Sequence, residues 1–382
     1  MSAISSLSSF LQNLSLVQTS QNNIANLTYQ VDTGLKSQDL SGYGTEANQL
    51  LNLQSAQTTE QNYVSNNTQT QTITSAYDTT LSQLSTDATT LNASLDAFSA
   101  TDTISATNLN TLVNSLSVDI AATLNTQVGD RYIYGGTRYT TAPVGDLTSY
   151  IQNNPPNYTA PSVAALTVTD GKTVPGTLPS PQTTPPTVLV PGYDSQAATL
   201  NASTTPTAAV IASATQTVTT QTTAVANNQT TSYGISSNDP TIQHLVYALQ
   251  NAYAASTQST TTAAGQAQQQ AYLNQAKSEI EMVLNGVTAV AASAGPPAVA
   301  AVAAVAGLPG LQDTNGMAET VVANANTVHN QTLATLQSQI TTITQVDPAT
   351  VAAELSAAQT QLEGSYKVVS SVLSDTLLNY LK

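Results

Sequence analysis

Cysteine is absent from the 382 residues. No disulfide framework, thiol nucleophile or Cys-ligated zinc site can therefore be built. Tryptophan is also absent and phenylalanine occurs twice, so the 16 tyrosines carry almost all the aromatic content. Charged residues make up only 8% of the chain, against roughly 25% in an average soluble domain. Cations are scarcest, with seven Lys and Arg against 22 Asp and Glu and a formal net charge of −15. Binding to nucleic acid or to an anionic membrane surface needs clustered Lys and Arg, so neither is expected.

Catalytic patterns are missing as well. The two histidines, His244 and His329, lie in no H-E-x-x-H metal motif, and packing is the better reading of both. There is no G-x-S-x-G, P-loop or complete G-x-G-x-x-G. Gly42, Gly44 and Ala47 mimic the looser dinucleotide pattern, but no strand precedes them. Serine is abundant, yet a serine nucleophile needs a positioned base. Glu279 and Glu281 stand two apart on an expected helix, point to different faces, and read as solvated surface. No catalytic, metal-ligating or cofactor-binding residue is assigned, no cofactor is expected, and the chain does not read as an enzyme.

No cationic region precedes an apolar run at the start, so a cleaved secretory signal is not expected. The most apolar stretch, Met282 to Gln312, carries no charge. Gly295, Pro296, Pro297, Gly307, Pro309 and Gly310 interrupt it, so it reads as a buried helix end, a turn and an Ala/Val helix rather than a membrane span.

What is present is ordered by proline. None precedes Pro143, 12 of the 16 lie from Pro143 to Pro240, and four follow. Proline is excluded from helix interiors, so the chain reads as helix, non-helical insert, helix. Tyr77, Leu81, Leu84, Ala88, Leu91, Leu95 and Phe98 form a heptad seam flanked by Ser, Thr, Asn and Gln. A second seam, Leu109, Leu112, Leu116, Ile120, Leu124 and Val128, follows a break near Ala100 to Ser105. Further seams are Leu273, Ala276, Ile280, Val283, Val287 and Val290, then Leu333, Leu336, Ile340 and Ile343. Asp347-Pro348 reads as N-cap and first residue of a last helix. The glycines at 34, 42 and 44 mark a loop between two helices.

The expected fold is mainly α: a long antiparallel helical bundle or coiled coil built from both chain ends, with a β-rich inserted outer domain. Residues 1–45 and 345–382 are expected as terminal helices, 46–132 and 240–344 as a helical rod, and 133–239 as the β-rich insert. Within the insert, Ala165 to Thr169 before Asp170-Gly171 reads as a hairpin, and "PSPQTTPPTVLVPG" as a linker or edge element. The stretch Asn201 to Ala226 is of low complexity. Apolar residues at both ends lack an evident partner: Ile4, Leu7, Leu11, Leu14, Ile24 and Leu27 at one end, and Leu362, Tyr366, Val369, Leu373, Leu377, Leu378 and Leu381 at the other. These are the candidate assembly interface.

Three stretches carry a family resemblance. They are "QVDTGLKSQDLSGYGTEANQLLNLQ" (Gln30 to Gln54), "GDRYIYGGTRYTTAPV" (Gly129 to Val144) and "QTQLEGSYKVVSSVLSDTLLNYLK" (Gln359 to Lys382). "SYGISSNDPTIQHLVYAL" (Ser232 to Leu249) is a weaker match. In this order and placement they resemble the flagellin superfamily, most closely its hook–filament junction branch, the third hook-associated proteins. The flagellin-type "R-I-N-S-A-x-D-D-A-A-G" is missing after Gly34, which favours the junction branch, and Gly295 to Gly316 interrupts the returning helix.

The resemblance implies a structural subunit of the bacterial flagellum, an adaptor between hook and filament, extracellular and exported without a cleaved signal. It implies partners as well: copies of itself in a ring, neighbouring hook-associated or hook protein, flagellin and an export chaperone. A divergent flagellin of the filament, or a surface adhesin on a flagellin-like stem with a glycan-binding insert, are the alternatives. Weakly charged helices depend on packing for stability, so about 30 to 40 residues at each end are expected to fold only on assembly.

Overall fold

The computed structural model describes residues 2–101, 105–136, 139–140, 142–153, 155–156, 221–237, 239–288 and 304–380, with side chains for these apart from residues 2–10, 13, 99–101 and 372–380. The described part is mainly helical. In chain order it holds α1 (Ser2–Thr33), a 3-10 helix (Leu40–Glu46), α2 (Ala47–Thr101), α3 (Ala106–Leu124), β1 (Gln127–Val128), β2 (Arg131–Tyr132), a short 3-10 turn (Ile133–Gly135), α4 (Leu147–Asn153), β3 (Gln221–Ala226), β4 (Gln229–Tyr233), α5 (Pro240–Thr257), α6 (Ala263–Asn285), α7 (Gly307–Thr344) and α8 (Pro348–Tyr380). Two compact units form: residues 1–64 with 327–382, and residues 65–326. The helices α2 and α7 contribute to both. Among the described residues no helix is long and apolar enough to cross a membrane.

The unit of residues 65–326 holds the larger core. The heptad seam from Tyr77 to Phe98 is buried along its whole length. It shares one apolar cluster with Leu109, Val113, Leu116, Ile120 and Leu124 of α3 and with Leu273, Ala276, Ile280 and Val283 of α6. Helix α5 packs against both α3 and α6. Full burial of one such aliphatic side chain is worth about 1.5–3 kcal/mol, so this seam is the main stabilising feature. The break between α2 and α3 has a local cause: Ser105 caps α3, its Oγ accepting from the Asn108 N–H at 3.2 Å.

The β-rich outer domain is not supported. Among the described residues the strands make only two two-stranded antiparallel sheets, β1–β2 and β3–β4. The described flanks of 133–239 fold into the same unit as the helices around them. Part of that segment is helix: the Asp146 carboxylate accepts from the Ser149 N–H at 2.9 Å and from its hydroxyl at 2.6 Å, fixing the first turn of α4. The hairpin β3–β4 turns at Asn227-Asn228, with Asn228 at φ 58°, a conformation asparagine tolerates better than most residues. The hairpin expected at Asp170-Gly171 and the Pro-rich linker lie outside the described residues.

A second correction concerns the interruption at Gly295 to Gly316. Helix α7 already begins at Gly307 and runs through Pro309, Gly310 and Gly316. Proline in a first helical turn forgoes no intrahelical hydrogen bond, because its nitrogen would have no partner there. Preceding it, the Val287 and Val305 backbones pair antiparallel at 2.8 and 2.9 Å, bringing Gly286 against Gly307. A Cβ on Gly307 would stand 2.5 Å from the Gly286 nitrogen, so glycine is required for this close approach.

Candidate assembly surface

The unit of residues 1–64 and 327–382 has a much thinner core. Helices α1 and α8 lie side by side within one chain. Both ends are helical, over Ser2–Thr33 and Pro348–Tyr380, and pair with each other. Gly34 closes α1 at φ +70°, its N–H donating to the Gln30 carbonyl at 2.8 Å. Its carbonyl accepts from the Val346 N–H at 3.0 Å, and the Lys36 N–H donates to the Thr344 carbonyl at 2.7 Å. The turn after α1 is therefore fastened to the α7–α8 junction. There Asp347 accepts from the Ala349 N–H at 3.1 Å and from the Thr350 hydroxyl at 2.7 Å. These hydrogen bonds, the Thr350 hydroxyl first, hold its carboxyl below the usual carboxylate range. A small cluster of Tyr43, Leu50, Ile340 and Ile343 completes this core.

The expected interface residues divide into three groups. Leu27 is buried inside the chain, as is Val17, while Ile24, Leu362 and Val369 are half-buried. Leu11 (56% exposed), Leu14 (46%) and Tyr366 (47%) stand in solvent, Tyr366 with its hydroxyl accepting from Gln21 Nε2 at 2.7 Å. Ile4 and Leu7 lie on α1, and Leu373, Leu377 and Leu378 on α8, with no side-chain description; Leu381 lies outside the described residues. Sequence periodicity overlooked Leu16 (55%) and Val368 (56%), which extend the exposed apolar set on the same two helices. Being off the seam, they carry no periodic signal.

Both histidines have a role the sequence did not announce. His329 Nδ1 is hydrogen-bonded to Glu60 Oε2, and its ring stacks on Tyr63 with centroids 5.1 Å apart. His244 Nδ1 pairs with Glu279 Oε2, both side chains fully buried, and Gln275 Nε2 donates to the other carboxylate oxygen. The expectation that Glu279 and Glu281 are both solvated is thus half overturned: Glu281 is exposed, Glu279 is not. A buried carboxyl group requires a hydrogen-bond partner, and His244 on the facing helix supplies one. Among the described residues no group of three or more His, Asp or Glu side chains could hold a metal ion.

No protein-family model matches this chain, and no curated protein matches it.

Proposed function

We propose that the protein is a structural subunit of the bacterial flagellum, an extracellular adaptor at the hook–filament junction, joined to copies of itself and to its neighbours through α1 and α8. The observation that carries this reading is the apolar set Leu11, Leu14, Leu16 and Val368, more than two fifths exposed on two helices that already pair in one chain. Exposed leucines scattered singly need no explanation; three within six positions of one helix do. The resemblance of Gln30 to Gln54, Gly129 to Val144 and Gln359 to Lys382 to the junction branch of the flagellin superfamily supplies the identity of the assembly. Hook or hook-associated protein and flagellin are the proposed neighbours, with an export chaperone before assembly.

Deletion of the gene tests the reading. A junction adaptor is needed before filament grows, so its loss leaves bare hooks and spills unpolymerised flagellin into the medium. Intact filaments on the deletion strain contradict the proposal. Filaments that are merely shortened assign the protein to the filament as a divergent flagellin.

A further inference from the structure

A cavity of about 480 Å³ opens within the unit of residues 65–326. Its described walls are Asn66, Gln69 and Thr70 of α2, Arg131 and Tyr139 of the segment after α3, Gly136 between these two, and Gln221, Thr222, Thr223 and Tyr233 of the hairpin. Every side chain on these walls is polar or aromatic, and none is a carboxylate. In a chain with 22 acidic residues and seven Lys and Arg, a guanidinium set among neutral groups stands out.

That guanidinium is held in place. Arg131 Nη2 donates to Gln221 Oε1 at 2.8 Å, and Arg131 lies over the Tyr139 ring, 4.4 Å from its centroid. Gln221 is itself fixed, its Nε2 donating to the Gly136 carbonyl at 2.7 Å. The opposite wall is tied to the hairpin by Asn66 Nδ2, which donates to Thr223 Oγ1 at 2.9 Å and to the Ala224 carbonyl at 3.1 Å. The site is thus preorganised, and a ligand would not have to order it.

We infer that this cavity binds an acidic monosaccharide, with its carboxylate on Arg131, its hydroxyls on the amide and hydroxyl side chains, and its apolar ring face on tyrosine. Arginine presents parallel N–H donors that match a carboxylate. Tyr139 remains 40% exposed and combines flat apolar area with a polar tip. The volume falls within the range of small-ligand sites, about 300–1,000 Å³. A polyanion is disfavoured by the net charge of −15, which leaves a ligand with a single negative charge. The inference does not depend on where the protein assembles.

Calorimetric titration of the full-length protein with glucuronate, N-acetylneuraminate, glucose and acetate tests it. Saturable binding of at least one acidic sugar is expected, about tenfold or more tighter than glucose or acetate. Arg131→Gln should weaken that binding at least about tenfold, with circular dichroism and the thermal midpoint near wild type. Tyr139→Ala, at a side chain outside the core, should weaken it with an unchanged fold. No saturable binding of either acidic sugar overturns the inference. So does equal binding of acetate, which marks a simple anion site, or binding that survives Arg131→Gln.

Discussion

The hydroxyl of Tyr77 lies between two backbone carbonyls, hydrogen-bonding to that of Ile133 and donating to that of Ile235 across 3.1 Å. One α2 side chain thus fastens both the segment that leaves the helical core and the segment that returns to it. Tyr134 packs edge-on against the Tyr77 ring, 5.1 Å between centroids, with its own hydroxyl 2.8 Å from Thr80 Oγ1. Tyr77→Phe keeps the ring and removes the donor from two buried carbonyls. It should cost about 1–3 kcal/mol in urea unfolding and speed amide exchange around residues 133–136 and 233–237.

The same two tyrosines give the protein an alkaline limit. Burial, the dominant cause, pushes both phenols far above their ordinary value of 10.0, and burial pushes Tyr150 up to about 12. A raised folded-state value contributes stability that is intact below the unfolded value and is lost as the pH rises through the folded one. The urea midpoint should therefore fall above pH 10, and Tyr134→Phe should reduce that slope. A midpoint independent of pH between about 8 and 11 contradicts this account.

The two Asp-Pro helix starts should respond to acid with opposite sign. Asp347 at α8 has a lowered value, so its contribution is intact above 3.8 and fades as the pH falls through the folded-state value below it. Asp239 at α5 accepts from the Thr241 N–H at 2.8 Å, but burial, the larger cause, raises its value. Its contribution is present below 3.8 and is lost as the pH rises through the folded value. Asp347→Ala should flatten the acid loss of exchange protection in the first turn of α8, whereas Asp239→Asn should remove a penalty at neutral pH.

The buried pair His244–Glu279 makes a sharper stability test. Replacing either partner alone leaves the other buried without it, and should cost about 3–5 kcal/mol. The double replacement His244→Leu with Glu279→Leu should recover much of that loss, because a buried polar pair contributes little net stability compared with apolar packing. The non-additivity is read from a double-mutant cycle on the thermal midpoint.

The extent of sequence legibility follows from which forces leave a periodic trace. The seam from Tyr77 to Phe98 was readable because burial of one helix face repeats every three or four residues. Asp347-Pro348 was readable because capping is local. The same signal at Asp239-Pro240 would have placed the start of α5. The histidine pairs were not readable: Glu60 and His329 are 269 positions apart, so no local pattern connects them. Thr- and Val-rich composition overstated the strands, since Gln221 to Tyr233 makes one hairpin against α2 while Leu147 to Asn153 takes a capped helical turn. Of the proposed assembly surface, Leu11 and Leu14 were legible as a stripe, but Leu16 and Val368 emerged only from the way α1 meets α8.

Solubilising the exposed set separates assembly from folding. Leu11→Ser, Leu14→Ser, Leu16→Ser and Val368→Ser act on side chains 46–56% exposed, and exposed substitutions ordinarily change stability by about 0.5 kcal/mol or less. The quadruple variant should keep the monomer's thermal midpoint and lose association in analytical ultracentrifugation and incorporation into flagella. Loss of folding together with association would mean that these residues serve the monomer.

The most direct measurement is immunogold labelling of isolated hook–filament preparations with antibody to this protein. The account predicts a single narrow band of label where the hook meets the filament. Label distributed along the filament, or none on the structure at all, contradicts it.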